Sequence, residues 1–409
     1  MANRTVRFDI IFIILSIALT SCARQPFPNR IQYKMLEQAR DAEARGDLQT
    51  AFSEYERLAN DDIAYAQYRL AVMYDQGVGT ERSDAMAARW YQAASDTGYP
   101  PAQNALARMY EEGRGVPQGS EAALALYKAA AEYERTDASR PPVAHVRAAR
   151  MIAEGRGTQP NPTEAAAYYQ FAADAGEPNG QFGLAELYAL GEIGDEQART
   201  TDALKWYARA AAQKHPGALV KLGDAYAEGL GVAPNATEAM RYYRMAIEEG
   251  STIAYVRLGD MYAEGKGVAK DPTEAVRQYL LAEHYGSVAG QLRLADAYAS
   301  GEGVARNPPE ALRLYQETAE TGNATGQMRI GDLYRAGTGV PKDGVEAARW
   351  YGLAAEQGYA LAQIKLGDLL SRGEGVPENR AAAMAWYRLA ANQGHPLAEQ
   401  RLAELEEGG

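Results

Sequence analysis

The sequence predicts an all-α solenoid of stacked two-helix repeats, and three periodic features carry that prediction. A tyrosine recurs as Tyr91, Tyr127, Tyr169, Tyr207, Tyr243, Tyr279, Tyr315, Tyr351 and Tyr387, at gaps of 36, 42, 38 and then 36 five times. A small residue, mostly Ala, follows each of these tyrosines three positions later, as at Ala94, Ala246 and Ala390. A Gly-x-Gly pair such as Gly265 and Gly267 separates each tyrosine except Tyr207 from an apolar helical run upstream of it. Self-similarity at this period marks a repeat array whose units bury their apolar faces on one another. With 409 residues the chain is also too long for one compact core.

The first segment, residues 1–21, has Arg4 and Arg7 ahead of the apolar run Ile10 to Leu19, then Thr20, Ser21 and Cys22. A basic start, a short apolar stretch and small residues describe an export signal, not a membrane span. Leu19-Thr20-Ser21-Cys22 resembles the bacterial lipobox, in which the cysteine is acylated and becomes the new N-terminus. Cys22 is the chain's one cysteine, so it is the expected lipidation site, and by the family rule Ala23 permits export to the outer membrane. Three acyl chains at roughly 0.8 kcal/mol per buried methylene would anchor it durably. Residues 22–32, with Pro26 and Pro28 and no helical period, read as a tether.

Residues 33–64 lack Gly-x-Gly but carry Ala44-Arg45-Gly46-Asp47 between two helical patterns, and read as a plain helical hairpin. Residues 65–396 hold nine repeats. In each, a first helix has apolar or small residues at helical spacing, as in Leu258, Gly259, Met261 and Tyr262, and stops at glycine, which takes the left-handed cap conformation. The second helix starts at Asn161, Asn235, Asp271, Asn307, Asp343 or Asn379, with a Glu three residues on in most cases and Pro162, Pro272 and Pro308 at the first helical position. Residues 397–409 repeat only the first helix and turn polar with Glu404, Glu406 and Glu407, as a cap does. Two repeats depart from the pattern. The third follows six extra residues around Tyr133 to Val143, and the fourth replaces its glycine pair by Gly191-Glu192-Ile193-Gly194 with two residues added before the second helix. Such insertions are either neutral loop drift or places where binding is added.

The pattern A-x-x-x-L-G-x-x-Y-x-x-G-x-G-V followed by E-A-x-x-W-Y-x-x-A-A-x-x-G, clearest in Tyr255 to Gly286 and Gly326 to Gly358, resembles the Sel1-like repeat family, relatives of tetratricopeptide repeats. The resemblance implies a right-handed superhelical solenoid with a tetratricopeptide-like hairpin at 33–64. Lipobox, tether, hairpin and repeat array also stand in an order similar to that of alginate-export lipoproteins. That similarity implies a periplasmic, outer-membrane-anchored scaffold for protein partners, among them a β-barrel exporter and polysaccharide-modifying proteins. An exported regulator or a host-factor-binding protein is the alternative. A β-lactam-binding enzyme is least favoured, since the relatives linked to that activity have a disulfide in every repeat.

Chemistry-bearing residues are sparse. The net charge of −12 without a basic cluster argues against nucleic acid as a partner. Four histidines, His145, His215, His284 and His395, fall at turns or helix ends in different repeats, so no metal, cofactor or catalytic set is expected. The glycine pairs follow helices, so each faces a C-terminal dipole end that repels phosphate. Asp224, Asp260, Asp296, Asp332 and Asp368 form an acidic ladder, each with a base three residues earlier, and read as i, i+3 pairs within one helix. Gln67, Gln103, Gln181, Gln291, Gln327 and Gln363 form a row near Arg257, Arg293 and Arg329. That row is either a partner-binding face or a source of hydrogen bonds between repeats.

Overall fold

The computed structural model describes residues 30–136 and 139–407, and among them every regular element is an α-helix, twenty-one in all. The export signal, Cys22 and nearly all of the tether lie outside the described residues. No helix among the described residues is long and apolar enough to cross a membrane. The chain divides into two compact units, Met1–Ala210 and Ala211–Gly409.

In the first unit, α1 (Arg30–Ala44) and α2 (Leu48–Asn60) form the opening hairpin, with Asp47 accepting the Thr50 amide at 3.2 Å as N-cap. Four repeats follow: α3 (Ala64–Gln76) with α4 (Asp84–Asp96), α5 (Pro100–Glu112) with α6 (Ser120–Glu134), α7 (Val143–Glu154) with α8 (Pro162–Asp174), and α9 (Pro178–Ala189) with α10 (Glu196–Ala212). The unit boundary falls near the end of α10.

The second unit stacks α11 (Pro216–Glu228) with α12 (Ala236–Glu248), α13 (Thr252–Glu264) with α14 (Pro272–His284), α15 (Val288–Ser300) with α16 (Pro308–Glu320), α17 (Ala324–Ala336) with α18 (Gly344–Glu356), and α19 (Ala360–Arg372) with α20 (Arg380–Ala391). The final α21 (Pro396–Glu407) packs on α20 as one more first helix would, burying Ala398 completely.

Local chemistry sets each hairpin. In α13 and α14 the first helix ends on Gly265 in the left-handed region, and Asp271 caps α14 by accepting the Glu274 amide at 3.0 Å. The other five expected N-caps, Asn161, Asn235, Asn307, Asp343 and Asn379, accept amides in the same way. The second glycine of the pair has a different reason. A Cβ on Gly267 would lie 2.4 Å from that of Ala236 on α12, so its absence lets the loop rest on the preceding hairpin.

Between hairpins the small residues act likewise. Ala282 on α14 is fully buried, and a side chain at Gly290 on α15 would strike it at 2.4 Å. The recurring tyrosines fill the space between, as Tyr279 and Tyr315 do alongside Leu294, Leu314 and Ile330. First helices of successive repeats also touch directly, α7 with α9 in one unit and α11, α13 and α15 in the other. The first-helix layer is therefore the inner layer of each stack.

The two irregular repeats resolve differently from one another. In the fourth, Gly191 and Gly194 both take positive φ, and the extra residues expected before the second helix join it instead, so that α10 runs for 17 residues. In the third, α6 extends to Glu134 and α7 starts after Pro142, with residues 137 and 138 outside the described set.

Candidate functional site: the polar ladder of the first helices

The acidic ladder is a structural clamp, and its wiring differs from the pairing read off the sequence. Arg257 and Asp260 share a helix, but they serve different neighbours. Arg257 reaches back to Asp224 of the preceding repeat at 2.9 Å, and Arg293 reaches Asp260 at 3.0 Å. Arg329 on Asp296, Lys365 on Asp332 and Arg401 on Asp368 continue the series at 3.0, 2.8 and 3.1 Å. Arg329 also approaches its own helix's carboxylate, Asp332, at 3.7 Å. The i, i+3 reading is therefore corrected. A residue three positions along a helix sits one turn up, whereas the next repeat's helix packs alongside and presents its base directly to the acid.

Each of these aspartates also accepts the hydroxyl of its own repeat's tyrosine. Tyr243 donates to Asp224, Tyr279 to Asp260, Tyr315 to Asp296, Tyr351 to Asp332 and Tyr387 to Asp368, at 2.5–2.8 Å. One carboxylate thus joins three helices: its own, the second helix of its repeat, and the first helix of the next. Burial, reinforced by the neighbouring carboxylate, pushes the Tyr279 phenol far above its usual value, so it remains a donor across the physiological range. Tyr387 is pushed up to about 12, chiefly by burial. Four of the five aspartates follow a glycine, and Asp296 follows Ala295. A Cβ on Gly259 would sit 2.4 Å from the Tyr279 ring, and Gly223, Gly331 and Gly367 stand likewise against Tyr243, Tyr351 and Tyr387.

The first unit supplies the same clamp with other parts. Tyr55 donates to Glu43 at 2.8 Å, Tyr127 to Glu111 at 2.6 Å, and Tyr91 to Asp75 at a longer 3.4 Å, while Tyr207 bonds Glu186. Asp75 and Glu111 stand one turn further along their helices than the later aspartates. Each meets two guanidiniums: Arg108 and Arg114 at 3.2 and 2.7 Å from Asp75, Arg150 and Arg156 at 3.9 and 2.8 Å from Glu111. Burial opposes ionisation of Glu111, but hydrogen bonds from Tyr127 and Arg156, with the charges of Arg156 and Arg150, hold it below the usual carboxylate range.

The glutamine row turns largely inward. Gln67, Gln103, Gln181, Gln327 and Gln363 are buried, and only Gln291 is partly exposed, donating to Glu317 at 2.6 Å. Gln67, Gln181 and Gln363 donate to the carbonyls of Ala59, Ala173 and Ala355 on the preceding second helix, at 3.2, 3.3 and 3.1 Å. Gln357 and Gln393 donate in turn to Gln327 and Gln363. What this row offers to solvent comes mainly from Arg257, Arg293, Arg329 and Gln291. Cys22 lies outside the described residues.

One buried polar group escaped the sequence reading. His145 is fully buried in α7, stacked on Phe171 with ring centroids 4.0 Å apart, and its Nδ1 lies 2.8 Å from Glu134. The Glu134 carboxylate also accepts the Ala144 and His145 amides, closing the N-terminus of α7 from the end of α6. Arg135 lies 3.3 Å from the other ring nitrogen. The available signal was positional, since His145 occupies the slot held by glutamine in other repeats. No group of three or more His, Cys, Asp and Glu side chains that could hold a metal occurs among the described residues.

Comparison with known proteins agrees with this architecture. The Sel1 repeat model matches residues 64–99, 100–132, 142–177, 178–215, 216–251, 252–282, 288–323, 324–359 and 360–395. No curated protein matches the chain. Among solved structures, the chain is similar to c5321, described as a protective antigen of uropathogenic Escherichia coli strains displaying an SLR fold. That likeness has 27% identity and a TM-score of 0.55, and it covers 93% of this chain and 91% of the other. A Sel1 repeat protein from Oxalobacter formigenes is 22% identical with a TM-score of 0.47, covering 94% and 99%. The immunity protein Pa5087 from Pseudomonas aeruginosa is 18% identical with a TM-score of 0.41, covering 53% and 81%. With nine matched repeats spanning most of its length, and the clamp, glycine pairs and buried tyrosines repeated through them, the chain belongs to the Sel1 repeat family.

Proposed function

We propose that this chain is a lipid-anchored scaffold that binds protein partners on the first-helix faces of its stack and catalyses no reaction of its own. The observation that carries the reading is the form of those faces. They are open and lined by partly exposed ion pairs such as Arg293 with Asp260, and Sel1 repeats are suited to protein–protein interaction. The anchor rests on Leu19-Thr20-Ser21-Cys22, with the chain's one cysteine at the acylated position of the motif. Its place in this reading is the periplasmic side of an outer membrane, and its partners are a β-barrel exporter and polysaccharide-modifying proteins of an exopolysaccharide assembly of the alginate type.

Palmitate labelling of the wild type, lost in Cys22→Ser, tests the anchor. Co-purification of a β-barrel exporter with the wild type tests the scaffold, and its absence counts against the secretion assembly. A second reading is favoured by one observation: c5321, similar along most of the chain, is described as a protective antigen. If this chain likewise faces outward, as a host-facing protein would, protease added to intact cells degrades it. A periplasm-facing scaffold survives that treatment.

A further inference from the structure

The repeat register exposes a break in the clamp series. Arg147 on α7 stands eight residues before its helix-capping Gly155, the same position that Arg293 holds before Gly301. Arg293 reaches back to Asp260, five residues before Gly265. The residue five before Gly113, which Arg147 should meet, is Arg108. Arginine has thus replaced the carboxylate. Among the described residues Arg147 makes no hydrogen bond or ion pair, although it is only partly exposed. Arg108 has a share of Asp75, whose charge is already claimed by Arg114.

Both guanidiniums border an open cleft of about 390 Å³ across α3, α5 and α7, which also receives Tyr68, Arg69, Asn104 and Val143. Three arginines line the cleft, Arg69, Arg108 and Arg147; Arg69 is paired with Glu43 behind it, while the charges of Arg147 and Arg108 both act on the Tyr127 hydroxyl. Asp75 is the carboxylate among the cleft residues. The comparable cleft of the second unit has Asp260, Glu264, Asp296 and Glu302 against Arg293 and Arg329. A positive cleft in a chain of net charge −12 calls for an anionic occupant.

We infer that the α3–α5–α7 cleft binds an acidic peptide segment of a protein partner, one of whose carboxylates takes the place between Arg108 and Arg147 that aspartate fills elsewhere in the ladder. This rests on the scaffold reading and names the chemistry of its partner. Two features favour a peptide over an acidic polysaccharide. Tyr68 and Tyr99 pack on each other at 5.5 Å and 56°, half-buried, so they present no flat aromatic platform to a sugar ring. Val143, 46% exposed at the rim, gives an apolar side chain somewhere to rest.

The test is fluorescence anisotropy of the purified full chain with a labelled decapeptide of alternating Glu and Leu. Saturable binding is expected, weakening as salt rises and absent for the Lys–Leu counterpart. Arg147→Glu should lower the affinity about tenfold, and Arg147→Gln by less. Arg277→Glu, the same charge change on exposed α14 of the other unit, should leave affinity unaltered. Melting temperatures of the variants show that loss of binding is not loss of fold. Failure of the wild type to bind the peptide, equal weakening by Arg277→Glu, or tighter binding of an oligouronate than of the peptide overturns the inference. The scaffold reading then still stands or falls on exporter co-purification.

Discussion

The two units solve one problem with different wiring. In the second, every repeat from α11 onward uses the same clamp: tyrosine to aspartate nineteen residues before it, and that aspartate to a base in the next repeat. In the first, the acid moves one turn along the helix at Asp75 and Glu111, the bases come partly from Arg114 and Arg156 inside the glycine loops, and two cations meet each acid. The buried tyrosines and alanines hardly change between the units. Packing at close density fixes those positions, because a changed volume is felt at once. A polar clamp needs only a carboxylate under the phenol and a base near the carboxylate, so its parts can migrate around the helix. The first unit has used that freedom to leave Arg147 without a carboxylate and to make Arg108 share Asp75 with Arg114.

If packing dominates in both units, truncating the tyrosine should be the most damaging change in either. Tyr279→Ala and Tyr127→Ala are each expected to cost about 3–5 kcal/mol in urea unfolding. A loss confined to the second unit would break the comparison. Next comes the contact beneath the ring. Gly259→Val is expected to cost roughly 1–3 kcal/mol by overpacking against Tyr279. Gly259→Ala should cost less, because the equivalent Ala295 already lies under Tyr315 with its hydroxyl bonded to Asp296 at 2.5 Å. Removing only the hydroxyl, in Tyr279→Phe, is expected to cost about 1 kcal/mol.

A smaller effect depends on pH. Glu111 is held below the usual carboxylate range, so its contribution is present above the unfolded-state value of about 4.3 and fades as pH falls through the lower folded-state value. Stability of the wild type should therefore fall more steeply with acid, from about pH 5 downward, than that of Glu111→Gln. Parallel pH profiles would remove the proposed role of that carboxylate.

How much of this was legible follows from where the partners lie. Helices, caps and repeat boundaries were readable because Gly265 and Asp271 act within one hairpin, and because Tyr279 and Ala282, which pack between hairpins, recur at a fixed period. The clamp was not, because Arg293 and Asp260 are 33 residues apart and their pairing exists only once helices stack. The nearer candidate on the same helix, Asp296, looked sufficient. Residue type left the glutamine row open between a partner-binding face and hydrogen bonds between repeats, and only the stacking shows that Gln67, Gln181 and Gln363 turn onto the carbonyls of the preceding helix. His145 and Glu134 sit where an insertion breaks the period, and period was the signal being followed.

The most direct measurement compares two arginines in one structural slot. Arg293→Gln removes a paired cation from the second unit, and Arg147→Gln removes an unpaired one from the first. In urea unfolding, Arg293→Gln is expected to lower stability by about 0.5 kcal/mol, the scale of a partly exposed pair, while Arg147→Gln lowers it not at all. Equal losses at the two positions would mean that Arg147 is neutralised within its own stack, and would contradict the division of labour between the units.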